Sequence, residues 1–333
     1  MIRNVGKFMT VFRQSPSMAL FKVLTKFGAE EAIKPSSFLG MQLSRLKWRV
    51  HSRFYEKTVT RHLSPFSAYL ENDNTADSLT PIIWTLWWQG ESELPAVCRH
   101  AIESQKRFAQ KNGYQHIFLT KDNLADYLAI PEVLLDKLAR KKMAFTPFSN
   151  YVRYALLAQH GGVWMDATLY VTDQLDSHLF ANDFFTFRHQ IESVRNYYLY
   201  WIEQGRWTSF CFSAKKGNPH VCYIRDCLLY YFGQVDNPIN YTIDLFQDIH
   251  YRLHPEFREV IDYLPIVSGI ENRDFVSVHF NEPFDEKRWQ EVLKTSPIVK
   301  FSWKFYRKSI LDGSYADMIY RPFFPNVKET DED

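Results

Sequence analysis

Apolar residues in the middle of the chain fall into runs that predict alternating strands and helices. Residues 82–88 form a nearly continuous apolar run, which is typical of a strand buried on both faces. A helix is predicted next, because apolar residues recur on one helical face until Asn112-Gly113 ends the pattern. Residues 114–119 then predict a second strand.

One stretch combines a helix, a glycine turn and a very short strand. Thr146 suits the N-cap of this helix and Pro147 its first position, where the missing N–H costs nothing. Gly161 can take the left-handed conformation that closes the helix. Residues 162–165 are apolar and predict a buried strand, so Asp166 would follow its carboxyl end, where open α/β sheets place their ligands. The alternative is an ordinary capping Asp on a turn, and this motif alone does not decide between the two.

Weaker patterns continue towards the carboxyl terminus. Strand-like runs cover 183–188, 207–214 and 297–304, and helices are predicted from Asn218-Pro219 to about Phe232 and over 239–253. The order of strands and helices predicts an α/β fold, in which crossover helices connect the strands of a mostly parallel central sheet.

The amino-terminal part of the chain is strongly basic. Residues 1–62 hold 12 Lys and Arg against three Glu, or +9, whereas the whole chain has a net charge of +2. Basic and apolar residues mix at roughly helical spacing up to about residue 70. One interpretation is an amphipathic helix on an anionic membrane surface; the other is a helical subdomain that packs on the main body and has a solvated basic face. Residues 71–78 are polar and predict a linker.

Composition excludes several function classes. The net charge of +2 argues against a nucleic-acid-binding protein, and the 17% of aromatic residues suits sugar and base recognition as well as core packing. The 4 cysteines lack zinc spacing and predict buried thiols. No signal peptide or run of about 18 apolar residues is visible, so a cytoplasmic protein, peripheral on the membrane at most, is expected.

Three stretches together resemble a known family. They are IIWTLWWQG at 82–90, FSNYVR at 148–153 and GGVWMDAT at 161–168. Their order and spacing are similar to those of the capsular polysaccharide synthesis glycosyltransferases, which are relatives of glycosyltransferase family 32. The likeness covers roughly residues 79–305, and it implies a GT-A-type nucleotide-sugar-binding fold with an added helical amino-terminal region.

The resemblance implies catalytic roles for Asp166, Arg153 and Asn150. In the family, the middle motif is Ser-Asp-x-x-Arg, in which the Asp holds sugar hydroxyls and the Arg contacts the donor. Asn150 and Arg153 are three residues apart and so share a helix face, and the amide of Asn150 can still donate to and accept from hydroxyls. The alternative for Arg153 is a surface arginine.

The resemblance also implies a set of substrate-binding residues. They are Trp84, Thr85, Gly162, Thr168 and Trp303. Trp84 resembles the position where such enzymes stack the uracil ring, and the alternative for it is core packing beside Trp87 and Trp88.

A divalent ion is a further implication of the resemblance. Asp166 matches the first Asp of a DXD motif, and Thr168 stands where the second would be. Mn²⁺ or Mg²⁺ would be held by Asp166, Thr168 and Ser302. Ser302 belongs to a carboxy-terminal segment that resembles the Ser-x-Trp segment of relatives. Relatives usually have a His where this chain has Val299, so a role for a carboxy-terminal histidine has no counterpart here.

The expected function is transfer of a hexose, with retention, from a UDP-sugar donor to a glycan or lipid-linked oligosaccharide acceptor in capsule or cell-surface polysaccharide synthesis. The alternative is a degenerate, non-catalytic homologue that serves as a binding or scaffolding subunit of the glycan assembly complex.

The chain is expected to divide into three parts. Residues 1–78 form a basic helical region and linker, 79–305 the transferase domain and 306–333 a tail.

Overall fold

The computed structural model describes residues 38–190, 202–238, 241–303, 310–320 and 322. Its helices are α1 (Phe38–His62), α2 (Phe66–Glu71), α3 (Ala96–Lys111), α4 (Glu132–Ala139), α5 (Phe145–His160), α6 (Pro219–Gln234), α7 (Thr242–Leu253), α8 (Pro255–Tyr263), α9 (Ile270–Arg273), α10 (Phe275–Val278), α11 (Glu286–Thr295) and α12 (Tyr315–Tyr320). Its strands are β1 (Ile82–Leu86), β2 (Gln115–Leu119), β3 (Gly162–Met165), β4 (Leu169–Val171), β5 (Phe184–Thr186), β6 (Arg188–Gln190), β7 (Cys211–Ala214), β8 (Ile266–Gly269) and β9 (Ile298–Lys300).

Five strands form the central sheet in the order β2-β1-β3-β7-β5. β1 pairs in parallel with β2 and β3, whereas β7 is antiparallel to both β3 and β5, so four of these five strands run in one direction. The predicted α/β fold with a mostly parallel central sheet is therefore confirmed. The first predicted strand is two residues shorter than its apolar run, because the chain turns after Leu86.

A second, two-stranded sheet joins the loop after β3 to the carboxy-terminal part of the chain. β4 and β9 are antiparallel, with Leu169 opposite Lys300 and Val171 opposite Ile298. The N–H of Phe301 donates to the carbonyl of Thr168 at 2.9 Å and extends this pairing by one residue. Residues 298–301 are thus held beside the carboxyl end of β3.

Helix α5 starts earlier than the Thr-Pro pair predicts. Its N-cap is Ala144, without a side-chain hydrogen bond, and Thr146 lies inside the first turn. Pro147 is tolerated at the third helical position because the N–H groups of the first turn have no partner within the helix. Gly161 ends the helix with φ of 72°, as predicted, and a Cβ there would lie 2.6 Å from the backbone nitrogen of Lys216.

The later elements agree with their predictions in type and differ in extent. Asn218 caps α6 through bonds from the N–H groups of His220 and Val221. The strand predicted over 207–214 forms only over its second half, as β7, and the helix predicted over 239–253 starts at Thr242, with 239–240 outside the described residues. The predicted thiols Cys98, Cys211 and Cys227 are buried, and Cys222 is half-buried.

Helix α1 packs on the main body. Tyr55 is fully buried and its hydroxyl lies 2.7 Å from that of Tyr231, and Ser52 donates to Asp248 at 3.2 Å. The basic residues face solvent at every fourth position of the helix: Arg45, Arg49, Arg53, Lys57 and Arg61. Residues 38–62 pack on the main body as the subdomain interpretation expects, and binding of their basic face to a membrane stays a prediction. Residues 1–37 lie outside the described residues. No described helix combines the length and apolarity needed to cross a membrane.

The predicted linker and tail both contact the rest of the structure. In the linker, the N–H of Ala76 donates to the carbonyl of Lys216 at 2.9 Å. In the tail, α12 buries Tyr315 and Tyr320 in a hydrophobic cluster that also contains Phe301. The domain boundaries at 78 and 305 stay predictions.

Candidate active site

Asp166 directly follows β3, and its backbone is fixed from both sides. Its N–H donates to the carbonyl of Phe210 at 2.9 Å, and its own carbonyl accepts from Gln105 at 2.9 Å. Gln105 in turn accepts a 2.7 Å bond from the fully buried hydroxyl of Thr85. Thr85 was expected to bind substrate, but its hydroxyl is directed into the protein, where it positions the Asp166 loop.

The Asp166 carboxylate lies between two cations. One oxygen accepts from the indole N–H of Trp164 at 2.9 Å and lies 3.3 Å from the Arg153 guanidinium; the other accepts from the ammonium of Lys300 at 3.0 Å. Burial by itself would raise the pKa of Asp166, but the charges of Arg153 and Lys300, with the bonds from Trp164 and Lys300, outweigh it and lower that pKa below its usual value. The carboxylate is therefore ionised at neutral pH, and its side chain remains a quarter exposed.

Arg153 mainly holds Asp166 in place. Its guanidinium donates to the carbonyl and the hydroxyl of Ser149, both at 3.3 Å, and to the carbonyl of Ser209, and it stacks 5.0 Å from the ring centre of Trp164. Only 8% of the side chain is exposed, so the surface-arginine alternative is wrong. Asn150 lies on the same helix one turn earlier and is 7% exposed.

Lys300 completes this group of charges, and sequence reasoning gave it no role. Its ammonium donates to the hydroxyl of Thr168 at 2.5 Å as well as to Asp166, and it lies 4.8 Å from the ring centre of Phe210. The neighbouring Val299, which stands where relatives have a His, is fully buried. Because side chains alternate along β9, burial of Val299 directs Lys300 to the opposite face, towards Asp166. A strand-like run over 297–304 that contains Lys300 was the available signal. We use the name Asp166 centre for Asp166 with Arg153, Trp164, Thr168, Phe210 and Lys300.

Two further half-buried carboxyls differ from Asp166: the charge of Arg153 acts on Asp244, and that of Arg273 acts on Glu203. Burial raises the pKa of Asp244 above its usual value, although the indole of Trp207 donates to it at 3.3 Å. Burial, and then the charge of Asp244, raise the pKa of Glu203 well above its usual value. Close cationic partners are what keep Asp166 fully ionised where these two resist ionisation.

The structure does not support the expected substrate contacts of Trp84 and Gly162. Trp84 is 1% exposed, its ring lies against Tyr127 and His160, and its indole N–H donates to the carbonyl of Gly161 at 2.9 Å. That bond directs the ring towards the start of β3, away from Asp166, so Trp84 packs in the core and has no open face for a uracil. Gly162 has φ of 103°, and a Cβ there would lie 2.6 Å from a carbonyl of β1, so this glycine permits close strand packing.

Ser302 and Trp303 reach the edge of the sheet where Asp166 lies. Continuing the β4–β9 register by two residues sets Ser302 opposite Ala167. The ring of Trp303 meets that of Trp87, just after β1, edge to face at 5.7 Å, and both rings are partly exposed. Their substrate and metal roles stay predictions, now with a position that suits them.

The residues around Asp166 do not fit a divalent ion as they stand. Of the three expected ligands, Asp166 and Thr168 both have an oxygen in contact with the Lys300 ammonium. Two unit charges about 4 Å apart repel by about 4 kcal/mol at an effective dielectric constant of about 20, and a divalent ion would double this repulsion. Among the described residues, no group of three or more His, Cys, Asp and Glu side chains is arranged to hold a metal. The Mn²⁺ or Mg²⁺ cofactor therefore stays a prediction that this geometry disfavours.

Comparisons with known proteins identify the family of the chain. A family model described as "Capsular polysaccharide synthesis protein" matches residues 41–319. None of the curated proteins compared with the chain matches it. A solved structure titled "PaToxG Glycosyltransferase" is similar at 12% sequence identity, with 84% of this chain and 96% of that chain covered and a TM-score of 0.36. A likeness this distant carries no argument about function.

Proposed function

The chain belongs to the capsular polysaccharide synthesis family, and from that premise we propose that it is a glycosyltransferase that moves a hexose from a UDP-sugar to a glycan acceptor. The observation that carries the proposal is the Asp166 centre: an ionised carboxylate and an ammonium group at the carboxyl edge of the sheet. A carboxylate accepts hydrogen bonds from sugar hydroxyls, and a cation beside it attracts phosphate. A nucleotide sugar presents both groups side by side.

The proposed transfer proceeds with retention at the anomeric carbon. The bond from that carbon to the β-phosphate oxygen breaks and leaves its electron pair on UDP. A bond from the same carbon to an acceptor hydroxyl oxygen forms, and the acceptor proton passes to the departing diphosphate. This chemistry needs a stabilised leaving group and close acceptor placement more than a strong base. In it, Asp166 orients the sugar, Arg153 holds Asp166, and Trp303 with Trp87 offers aromatic faces at the same edge.

The proposed acceptor is a lipid-linked oligosaccharide at the inner face of the cell membrane. The support is the exposed row of basic residues on α1, whose buried side is fixed to the main body. Each Lys or Arg close to an anionic surface contributes about 1 kcal/mol of attraction. A variant with Arg45, Arg49 and Arg53 changed to Glu should therefore lose binding to vesicles with a third of anionic lipid. Unchanged sedimentation of this variant with the vesicles would contradict the membrane role of α1.

The enzymatic proposal is tested by donor turnover. Purified protein should release UDP from UDP-glucose or UDP-galactose, with Mn²⁺ or with EDTA present, and Asp166→Asn should lose this activity. Absence of both turnover and UDP binding would reject the proposal and favour the non-catalytic scaffold. A scaffold would also leave the surface glycan intact in cells that carry Asp166→Asn.

A further inference from the structure

The Lys300 ammonium occupies the place that the DXD resemblance gives to a metal ion. It contacts one oxygen of Asp166 at 3.0 Å and the hydroxyl of Thr168 at 2.5 Å, which are two of the three expected ligands. The pairing of β9 with β4 sets Lys300 opposite Leu169, so the backbone itself delivers the ammonium to this point. The aromatic ring of Phe210, 4.8 Å from Nζ, adds an attraction between cation and ring.

Lys300 is also the more accessible of the two cations at Asp166. Its side chain is 22% exposed, against 8% for Arg153. The guanidinium of Arg153 already serves Ser149, Ser209 and Asp166. An ammonium has three N–H donors, and the contacts with Asp166 and Thr168 use two of them. The third can meet a phosphate oxygen that approaches from solvent.

We infer that Lys300 receives the diphosphate of the donor in place of a divalent ion, and that the nucleotide therefore binds without Mn²⁺ or Mg²⁺. This inference rests on the proposed function. The positive charge of Lys300 offsets the charge that gathers on the β-phosphate oxygen as its bond to the anomeric carbon breaks. The ammonium keeps its protons throughout, because the acceptor proton goes to UDP. Arg153 acts as a positioning residue for Asp166.

Calorimetric titration with UDP tests the inference without relying on turnover. The dissociation constant should agree within about threefold in EDTA, in Mg²⁺ and in Mn²⁺. Lys300→Ala should weaken UDP binding by about tenfold or more, which is the scale of a lost hydrogen bond to a charged group, whereas Lys300→Arg should stay within about threefold of wild type. Thermal unfolding of each variant shows whether it is folded.

Lys215 supplies the matched control. Its ammonium forms an ion pair of 2.6 Å with Asp183, and its side chain is 16% exposed, close to the values at Lys300. It follows β7 directly, and Ala214 pairs with Gly162, so Lys215 lies near the start of β3, at the far end from Asp166. Lys215→Ala should bind UDP as wild type does.

A second variant reads out the metal directly. Lys300→Asp places a new carboxylate beside Asp166 and Thr168 and so supplies the charge that a divalent ion needs. Mn²⁺ should raise the unfolding temperature of Lys300→Asp and leave that of the wild type unchanged.

The outcomes separate the inference from the function on which it rests. UDP that binds the wild type only with Mn²⁺ would keep the glycosyltransferase and overturn the role of Lys300. Lys300→Ala that binds UDP as tightly as wild type would show that Lys300 is only an ion-pair partner of Asp166. UDP that binds in no buffer would overturn both.

Discussion

Two largely buried clusters of polar side chains show opposite solutions to the cost of removing charge from water. The Asp166 centre keeps its groups charged, because one carboxylate lies between an arginine and a lysine. The histidine cluster, which consists of His220, His250 and His254, keeps its groups neutral. Its members are hydrogen-bonded in a row, at 3.0 Å and 2.6 Å, and each is surrounded by aromatic rings.

The difference lies in the partners that each group finds. Burial lowers the pKa of His250 far below its usual value, and the neighbouring histidines, being of the same charge type, lower it further. Burial and His254 likewise lower the pKa of His220 to about 4. The facing carboxylates Asp73 and Glu256 raise the pKa values of His220 and His254, but burial prevails. Burial opposes charge at Asp166 too, and there the adjacent cations overcome it. A group at a buried site therefore stays charged only where neighbouring groups of opposite charge offset its loss of hydration.

The largest expected effect is a loss of stability of the histidine cluster in mild acid. A histidine whose pKa is lower in the folded state stabilises the fold fully above its unfolded value of about 6.5, and this stabilisation is lost as pH falls towards the folded value. For His220 alone, the free energy of unfolding should fall by about 2 kcal/mol between about pH 7 and pH 5, and His250 and His254 add to this. Asp166 adds nothing in this window, because its lowered pKa acts only at lower pH.

Urea denaturation at several pH values measures this loss. His220→Leu should flatten the profile, whereas the exposed His178→Gln is the control for removal of a histidine elsewhere. Asp244 and Glu203, whose pKa values are raised, add stability as pH falls over the same range, so the quantity to compare is the difference between wild type and His220→Leu. A difference that does not change between about pH 7 and pH 5 would contradict the assignment of a neutral His220.

Removal of Arg153 should give the next largest loss of stability. It would leave Asp166 with less compensation for its charge, as in the histidine cluster. Arg153→Met leaves Asp166 with one cation and Ser209 without its donor, and should lower the free energy of unfolding by about 3 kcal/mol, the usual result of breaking a buried ion pair. The control is Arg140→Met, which breaks an exposed ion pair with Asp136 and should cost less than about 1 kcal/mol. Equal losses of unfolding free energy in the two variants would show that the Arg153 ion pair stabilises the fold no more than an exposed one.

Asp166→Asn tests whether the charge, rather than the shape, of the Asp166 centre supports turnover. The amide keeps the size of the side chain but leaves Arg153 and Lys300 without an anion, so hydrolysis of the UDP-sugar should fall about 100-fold. Asp183→Asn, whose exposed carboxylate pairs with Lys215 far from Asp166, should retain turnover within about threefold and serves as the control. Full activity of Asp166→Asn would remove Asp166 from the mechanism.

The sequence was sufficient for features that depend on local patterns. The glycine after α5 and the apolar run after it located Asp166 at a strand end, and helical spacing correctly set Asn150 and Arg153 on one face. The start of α5 was placed wrongly, because Thr146 resembled a cap while the chain already became helical at Phe145. A cap residue is a preference that tertiary packing can override.

Features that depend on distant pairings were beyond the sequence. Lys300 reaches Thr168 across 132 positions of the chain, through strands of only three residues each. The run around Trp84 is apolar at almost every position, so its pattern does not indicate whether the ring packs in the core or faces a ligand. The bond from Trp84 to the carbonyl of Gly161 decides this, and only the packed sheet brings the two together.

The smallest expected effect is a change in UDP affinity on substitution of Thr168. It distinguishes binding through the Lys300 ammonium from binding through a metal ion. Thr168→Val keeps the branched shape but removes the oxygen that accepts from Lys300, whereas Thr168→Ser keeps that oxygen. Because Asp166 still holds the ammonium, UDP affinity of Thr168→Val in EDTA should fall only about threefold, the scale of one neutral hydrogen bond, and Thr168→Ser should match wild type. A divalent ion would instead depend on every oxygen it binds. A loss of UDP binding in Thr168→Val that excess Mn²⁺ restores would therefore indicate a metal site, and a small loss that is the same in EDTA and Mn²⁺ would indicate Lys300.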